Sequence, residues 1–443
     1  MGPVDMMVSG LNRKGHPVCS PRFRRFFKVP GFDGRKQKPL DWVAAVRRNL
    51  RYLFAPARDR VAAYEKGFPR SCWSSYENSV TGQRKSLAFP ALHHPSFIFA
   101  FLKFSELFPS DPLAVEAQTQ ARLYGGWLVR NRFPADWTCG LFPYSTIEDG
   151  RLTGGTEGGN ITLFRAARVG EAMIALHRAF GGAVWLDYAN HLAGVFVRLQ
   201  RPDGSWPYRV NPRSGAVKED YTSNVVTPAR FLGMMDEIQP DQKRRRARRK
   251  AIQWMMKHPV KTHRWQGMYE DVDERPPYSN LQHWDTNEAI RYLTHYRKED
   301  AGFVKVAKDL NRWIEDQFIV WQDETSNVLC RCPTPTALEQ YYCYAPMEVH
   351  TANWLLSLVA LHDATRDQIY LNKAVAAANS IVRGQQPGGA FSTWGNDRRF
   401  SHPPEQQDWP GCNACAVSGL LRLHEFVSAR KSGGHVALGL EGI

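Results

Sequence analysis

The chain has 443 residues, 43% of them hydrophobic and 12% aromatic, so it can bury a large core and is not a disordered or low-complexity segment. Lys and Arg outnumber Asp and Glu by 58 to 43, a formal charge of +15 that favours polyanionic partners. The eight cysteines are scattered, no apolar run approaches the roughly eighteen residues of a membrane span, and the N-terminus lacks an apolar signal core, which argues against a disulfide-stapled or membrane-spanning chain.

Residues 1–38 are basic and rich in Gly and Pro with little periodicity, and read as an irregular arm. Helical patterning starts with LDWVAAVRRNLRYLF at 40–54, a second helix is expected near 57–66, and PSFIFAFLKFSELF at 95–108 is apolar all round, as a fully buried helix is. Beyond it, helices apolar around most of their circumference (about 160–180, 224–237, 285–297, 348–363 and 412–427) alternate with amphipathic ones (about 115–131, 184–200, 241–257, 301–320 and 367–385). The first set is expected inside and the second outside. One domain is expected over 39–430, followed by a flexible tail over 431–443.

A long period runs through this alternation. Asn160, Asn224, Asn287, Asn353 and Asn413 each fall in the opening turn of an expected inner helix, 60 to 66 residues apart. Gly140, Gly204 and Gly267 precede the first three by 20 residues, and two of these glycines open the matching strings GLFPYST and GSWPYRV. Such a period, with two helices per unit, means stacked hairpins that need their neighbours to bury an apolar face. With 95–108 as sixth inner helix and 40–54 as sixth outer one, the reading is all-α: six hairpins closed into an (α/α)6 toroid. Neither GxGxxG nor a Walker loop occurs, which disfavours nucleotide folds.

Connections after the inner helices are short, and those leading into them run about twenty to thirty residues. The long connections share the face at which inner-helix N-termini present free N–H groups and positive dipole ends, the expected active face. The simplest reading of the recurring Asn is a helix cap or a first-turn residue bonding its own loop, and of the Gly-aromatic-Pro-Tyr strings a turn.

Three strings set on this period, LQRPDGSWPY, HWDTNEA and GGAFSTWGNDRRF, resemble the (α/α)6-toroid carbohydrate-active enzymes: polysaccharide lyases, unsaturated glucuronyl hydrolases and uronyl epimerases. The likeness spans about residues 40–428 and implies an acidic, uronate-containing poly- or oligosaccharide substrate. SFIFAFLKFSEL carries no paired-Asp signature of the unsaturated-uronide hydrolases. LQRPDGSW also resembles a repeat of triterpene cyclases, but their acidic DxDD motif is absent.

The chemistry preferred on these grounds is β-elimination, which removes a weakly acidic proton next to a uronate carboxylate. The site must neutralise that carboxylate and supply a base that is neutral near pH 7. His283, His350 and His402 are candidate bases, Tyr208, Tyr278 and Tyr344 candidate acids, and Tyr221 a further catalytic candidate. Arg209, Arg398 and Arg399 offer charge, Asn224, Asn287, Asp220 and Tyr208 hydrogen bonds, and Trp206, Trp394 and Trp409 ring surfaces for sugars. The alternatives are hydrolysis by two carboxylates, with Asp285, Glu348, Asp220 and Glu157 as candidates, uronyl epimerisation, isoprenoid cyclisation, and a non-enzymatic module gripping polyanions through Arg244–Arg249. Cys330, Cys332, Cys343, Cys412 and Cys415 read as buried thiols rather than a metal site, and no cofactor is expected, a divalent cation assisting the carboxylate being left open. The further expectations are a cytoplasmic monomer or homodimer, a secreted form without its signal being the alternative, and no nucleic-acid partner.

Overall fold

The computed structural model describes residues 3–8, 22–27, 32, 34, 36–55, 77–78, 87–148, 151–153, 159–220, 223–267, 281–321, 333–341, 346–393 and 407–431. Six helices form an inner ring: α2 (Pro90–Leu107), α4 (Leu163–Phe180), α6 (Val226–Ile238), α9 (Trp284–His295), α11 (Glu348–Thr365) and α13 (Pro410–Lys431). Each packs on the next, and α13 packs back on α2, so the ring is closed. Outside lie α1 (Trp42–Phe54), α3 (Pro112–Arg130), α5 (Ala183–Leu199), α7 (Gln242–Lys257) with the single turn α8 (Pro259–Thr262), α10 (Phe303–Phe318) and α12 (Gln368–Arg383). The helix α1 packs on α13, α12 and α3, where the sixth outer helix belongs.

The two sets begin differently. Asp41, Asp111, Asp241 and Asp367 cap the outer helices α1, α3, α7 and α12, each accepting from a first-turn amide. The inner helices α2, α4, α6, α9 and α11 have no side chain at the N-cap bonding their first turn, and loop groups take some of their first amides instead, Leu163 N–H donating to the Tyr208 carbonyl at 3.0 Å and Asp285 N–H to the Gln282 side chain at 3.2 Å. The repeated Asn is therefore not a cap. Asn287 and Asn413 lie one turn inside, where each amide donates to the carbonyl four residues back, that of His283 at 2.9 Å and of Trp409 at 3.1 Å.

One contact shows how the ring closes. The Gln200 amide donates to the carbonyls of Gly204 at 3.0 Å and of Ala247 in α7 at 2.8 Å, hooking one hairpin onto the next. The Gln385 amide donates to the carbonyls of Gly389 at 2.9 Å and of Ala45 in α1 at 2.8 Å. The sixth hairpin thus grips the first helix as the third grips the fourth. Gly204 and Gly389 have φ of +98° and +97°, and a Cβ on either would press into the carbonyl of Lys250 or Arg48, three residues beyond the gripped Ala.

Two expectations at the N-terminus fare differently. Pro3–Val8 pairs antiparallel with Arg22–Phe27 inside the stretch read as an irregular arm. Such a ladder rests on backbone pairing, which leaves no helical period to read. The helix expected near 57–66 lies outside the described residues.

Candidate functional site in the toroid lumen

Each inner helix carries polar or charged residues one to two turns below its N-terminus, where an all-apolar ring would need none. Arg168 and Glu171 on α4, Arg230 on α6, and Glu288 and Arg291 on α9 converge there, all buried. The Arg230 guanidinium clamps Glu171 at 2.7 and 2.9 Å and reaches Oε1 of Glu288 at 3.3 Å. Thr227 donates its hydroxyl to the other Glu288 oxygen. Arg168 and Arg291 approach the same Oε1, at 3.6 and 3.9 Å, beyond hydrogen-bond reach. Arg291 donates instead to the side chain and carbonyl of Asn353 on α11. Burial alone would raise the Glu288 carboxyl, but Arg230 first, then Arg168 and Arg291, hold it below the usual range. Burial, then the charge of Arg230, pushes Arg291 down to about 9.

Sequence reasoning missed this cluster. Its signal was the placement of Arg168 with Glu171 and of Glu288 with Arg291, three residues apart on helices expected to be buried around most of their circumference, where charge stays only if paired or used.

Above the cluster lies a histidine layer. His283 is fully buried at the head of α9; its Nε2 donates to the Leu338 carbonyl at 2.8 Å and its Nδ1 accepts from Asn287 at 2.9 Å. Burial pushes it down to about 4, so it is a neutral ring with both nitrogens engaged. His350, in the first turn of α11, lies 5.0 Å from it between ring centroids and 5.8 Å from Trp284. Its Nδ1 is buried without a partner, and burial, then His283, holds its pKa well below the ordinary 6.5. One turn below it, Asn353 holds Arg291. On the far side of the ring, His93 packs edge-on against Trp409 at 5.2 Å and is pushed down to about 3 by burial and then Arg165.

Of the carboxyls read as hydrolytic candidates, Asp285 is engaged and Glu348 is not. Asp285 accepts from the Gln282 amide at 2.7 Å while its own N–H donates back to Gln282 at 3.2 Å. Glu348 is buried without a hydrogen bond or ion pair among the described residues, beside Gly384 and Cys412, and burial raises its pKa well above 4.5.

The loop from Gln200 to Asp220 is mostly scaffold. Trp206 is 1% exposed and donates its indole N–H to the Phe196 carbonyl at 2.9 Å, which makes it a core residue rather than a sugar platform. Tyr208 is buried against Phe164, and Asn224 is buried in the turn that leads into α6. Arg209 pairs across a short ladder with Glu219, both charges committed to each other. Asp220 is exposed and paired with Arg201. Glu157, Tyr221, Tyr278, Tyr344, Trp394, Arg398, Arg399 and His402 lie outside the described residues, as do Cys330, Cys332 and Cys343.

The basic run is partly structural as well. Arg244 bonds Asn190 at 2.7 Å, Arg245 pairs with Asp236 at 2.7 Å, and Arg248 pairs with Glu299 at 2.7 Å. Cys412 and Cys415 are buried reduced thiols whose pKa values burial raises. No group of three or more His, Cys, Asp or Glu suited to a metal ion occurs among the described residues, and no helix there is long and apolar enough to cross a membrane.

The fold this geometry defines is that of the (α/α)6-toroid carbohydrate-active enzymes. A D-mannose isomerase superposes with a TM-score of 0.64 at 12% identity over 90% of this chain and all of its own. A cellobiose 2-epimerase from Bacillus thermoamylovorans gives 0.62 at 11% identity over 86% of this chain and 99% of its own. An unsaturated glucuronyl hydrolase specific for heparin gives 0.58 at 12% identity over 88% and 98%. Neither a family model nor a curated protein matches the sequence. At these identities the likeness is one of fold.

Proposed function

We propose that this protein is a carbohydrate-active enzyme that moves a proton at a carbon next to a carbonyl group, as sugar epimerases and isomerases do. The observation that supports this is a neutral, unpaired His350 set one turn above Asn353, which holds one of two guanidinium groups lacking a carboxylate of their own. Removing such a proton puts negative charge on the carbonyl oxygen, so the step needs a base that is unprotonated at neutral pH and fixed positive charge near the oxygen. His350 Nδ1 supplies the first, and Arg291 with Arg168 the second. Return of the proton to the opposite face inverts the carbon, and its delivery to the neighbouring carbon isomerises the sugar.

β-Elimination from a uronate is the second reading, and the surplus lumen charge supports it too. Against it stands Arg209, the uronate clamp expected on α5's following loop, which is spent on Glu219. Hydrolysis finds less support, because Glu171 and Glu288 are tied to arginines and Asp285 to Gln282.

The test is incubation in D2O with a panel of reducing mono- and disaccharides, read by NMR, alongside acidic polysaccharides read by ultraviolet absorbance. Deuterium at the carbon next to the carbonyl, lost in His350→Ala, is the expected result. A rise in absorbance without deuterium selects elimination, and new reducing ends without either overturn the proposal.

A further inference from the structure

The lumen cluster is one negative charge short. Among the described residues, Arg168, Arg230 and Arg291 face only Glu171 and Glu288, all five at least nine-tenths buried. Three guanidinium groups share the single oxygen Oε1 of Glu288, at 3.3, 3.6 and 3.9 Å, and only Arg230 is close enough to bond it. Both Nη atoms of Arg168, Nε and Nη2 of Arg291 and Nη1 of Arg230 are buried without a hydrogen-bond partner. Leaving charged donors dry costs several kcal/mol per ion, a large share of the roughly 5–15 kcal/mol by which a fold is ordinarily stable. Water could take the hydrogen bonds but would leave the charge.

We propose that a small monovalent anion of halide size sits among Arg168, Arg291 and Arg230 as a resident counter-ion of the lumen. One negative charge closes the balance that the two glutamates leave open, and a dianion would overshoot it. Arg168 and Arg291 each come within 4 Å of Glu288 Oε1 without bonding it, so their unpartnered donors lie around one part of the lumen. A cavity lies on the opposite side of Phe99 from the cluster. Phe99, whose ring lies 5.4 Å from the Arg168 guanidinium, lines this cavity of about 430 Å³ at the C-terminal ends of α2 and α4. Lys103, Arg178 and Arg422 stand around that cavity, and the buried Ser418 hydroxyl in its wall has no partner. The ion takes the same Arg168 and Arg291 that the proposed function assigns to the reacting oxygen, so substrate displaces it on binding; the melting and scattering tests contain no substrate and stand whatever reaction is catalysed.

The test uses the purified full chain, thermally unfolded in sodium chloride, bromide, acetate and gluconate at matched ionic strength. Above the dissociation constant, each tenfold rise in a bound anion adds about 1.4 kcal/mol, or about 1.5 °C in midpoint at ~2.1 cal/mol/K of unfolding entropy per residue. Chloride and bromide should raise the midpoint by that slope and gluconate should not; acetate matching chloride would show that a carboxylate occupies the site instead and overturn the halide assignment. Arg168→Met removes the surplus charge and should abolish the halide slope while unfolding no earlier than the parent in gluconate. Bromide-soaked crystals of the parent, read by anomalous scattering, should place a peak between Arg168 and Arg291 whatever the variant does. Equal midpoints in chloride and gluconate together with no bromide peak would mean a water-filled site and overturn the proposal.

Discussion

If the toroid is closed by the same hook that joins its internal hairpins, Gln385→Ala and Gln200→Ala must cost the same. Each substitution removes two amide donations, at 2.9 and 2.8 Å for Gln385 and 3.0 and 2.8 Å for Gln200. At a net ~1 kcal/mol per hydrogen bond, each variant loses about 2 kcal/mol. The unfolding entropy of ~2.1 cal/mol/K per residue over this chain makes that a fall of about 2 °C in the midpoint. The assay is calorimetric or circular-dichroism melting of both variants beside the parent, at one pH and salt concentration. Gln385 also accepts from Arg48 at 3.0 and 2.6 Å on the exposed side, so its variant should fall slightly further. A Gln385→Ala melt unchanged while Gln200→Ala drops would show that α1 does not close the ring, and the reasoning would fail.

Gly170→Ala should destabilise by about 1–2 kcal/mol, because the new Cβ meets the Phe231 ring and forces α4 and α6 apart; a neutral or stabilising melt would show slack between these inner helices. His93, His283 and His350 all have pKa values lowered by burial, to about 3, about 4 and well below 6.5. The unfolded chain therefore binds protons below about pH 6.5 that the folded chain refuses, and stability is present above that pH and lost as pH falls toward the folded values. At its steepest this is about 4 kcal/mol per pH unit for three histidines, and His93→Phe should remove a third of the slope in melts from pH 6.5 to 4.5. Glu348 has the opposite sign: its raised pKa means that stability is complete below about pH 4.5 and declines as pH rises toward the folded value. Glu348→Gln should match the parent at pH 4 and melt later at pH 8; an earlier melt at pH 8 would show that the ionised form is held by a partner.

What could be read from the sequence was whatever repeats. The 60 to 66 residue spacing of five asparagines and the apolar–amphipathic alternation located the twelve long helices found among the described residues and their inner and outer rings, because packing imposes the same demand on every hairpin. Of the two roles read for those asparagines, a cap or a first-turn residue bonding its own loop, Asn287 and Asn413 take the second, because a spacing says where a residue sits and not which carbonyl it meets. Trp206 and Arg209 looked functional because their types are, yet Trp206 donates into the core and Arg209 is matched by Glu219 on the next short strand. The lumen cluster stayed hidden for the converse reason. Arg168, Arg230 and Glu288 come from helices 58 to 62 residues apart in the chain, and only the closed ring brings their charges to one point.

The central claim is that His350 removes a proton from the carbon next to a sugar carbonyl. It is tested most directly by the rate of deuterium incorporation at that carbon in D2O, compared between the parent, His350→Ala and His283→Ala. His283 has both ring nitrogens engaged and serves as the control for disturbing the histidine layer. The account predicts a loss of at least a hundredfold for His350→Ala with its fold intact, in line with the ~10²–10⁴-fold worth of a general base, and a much smaller loss for His283→Ala. Deuterium incorporated at the parent rate by a folded His350→Ala variant would contradict it.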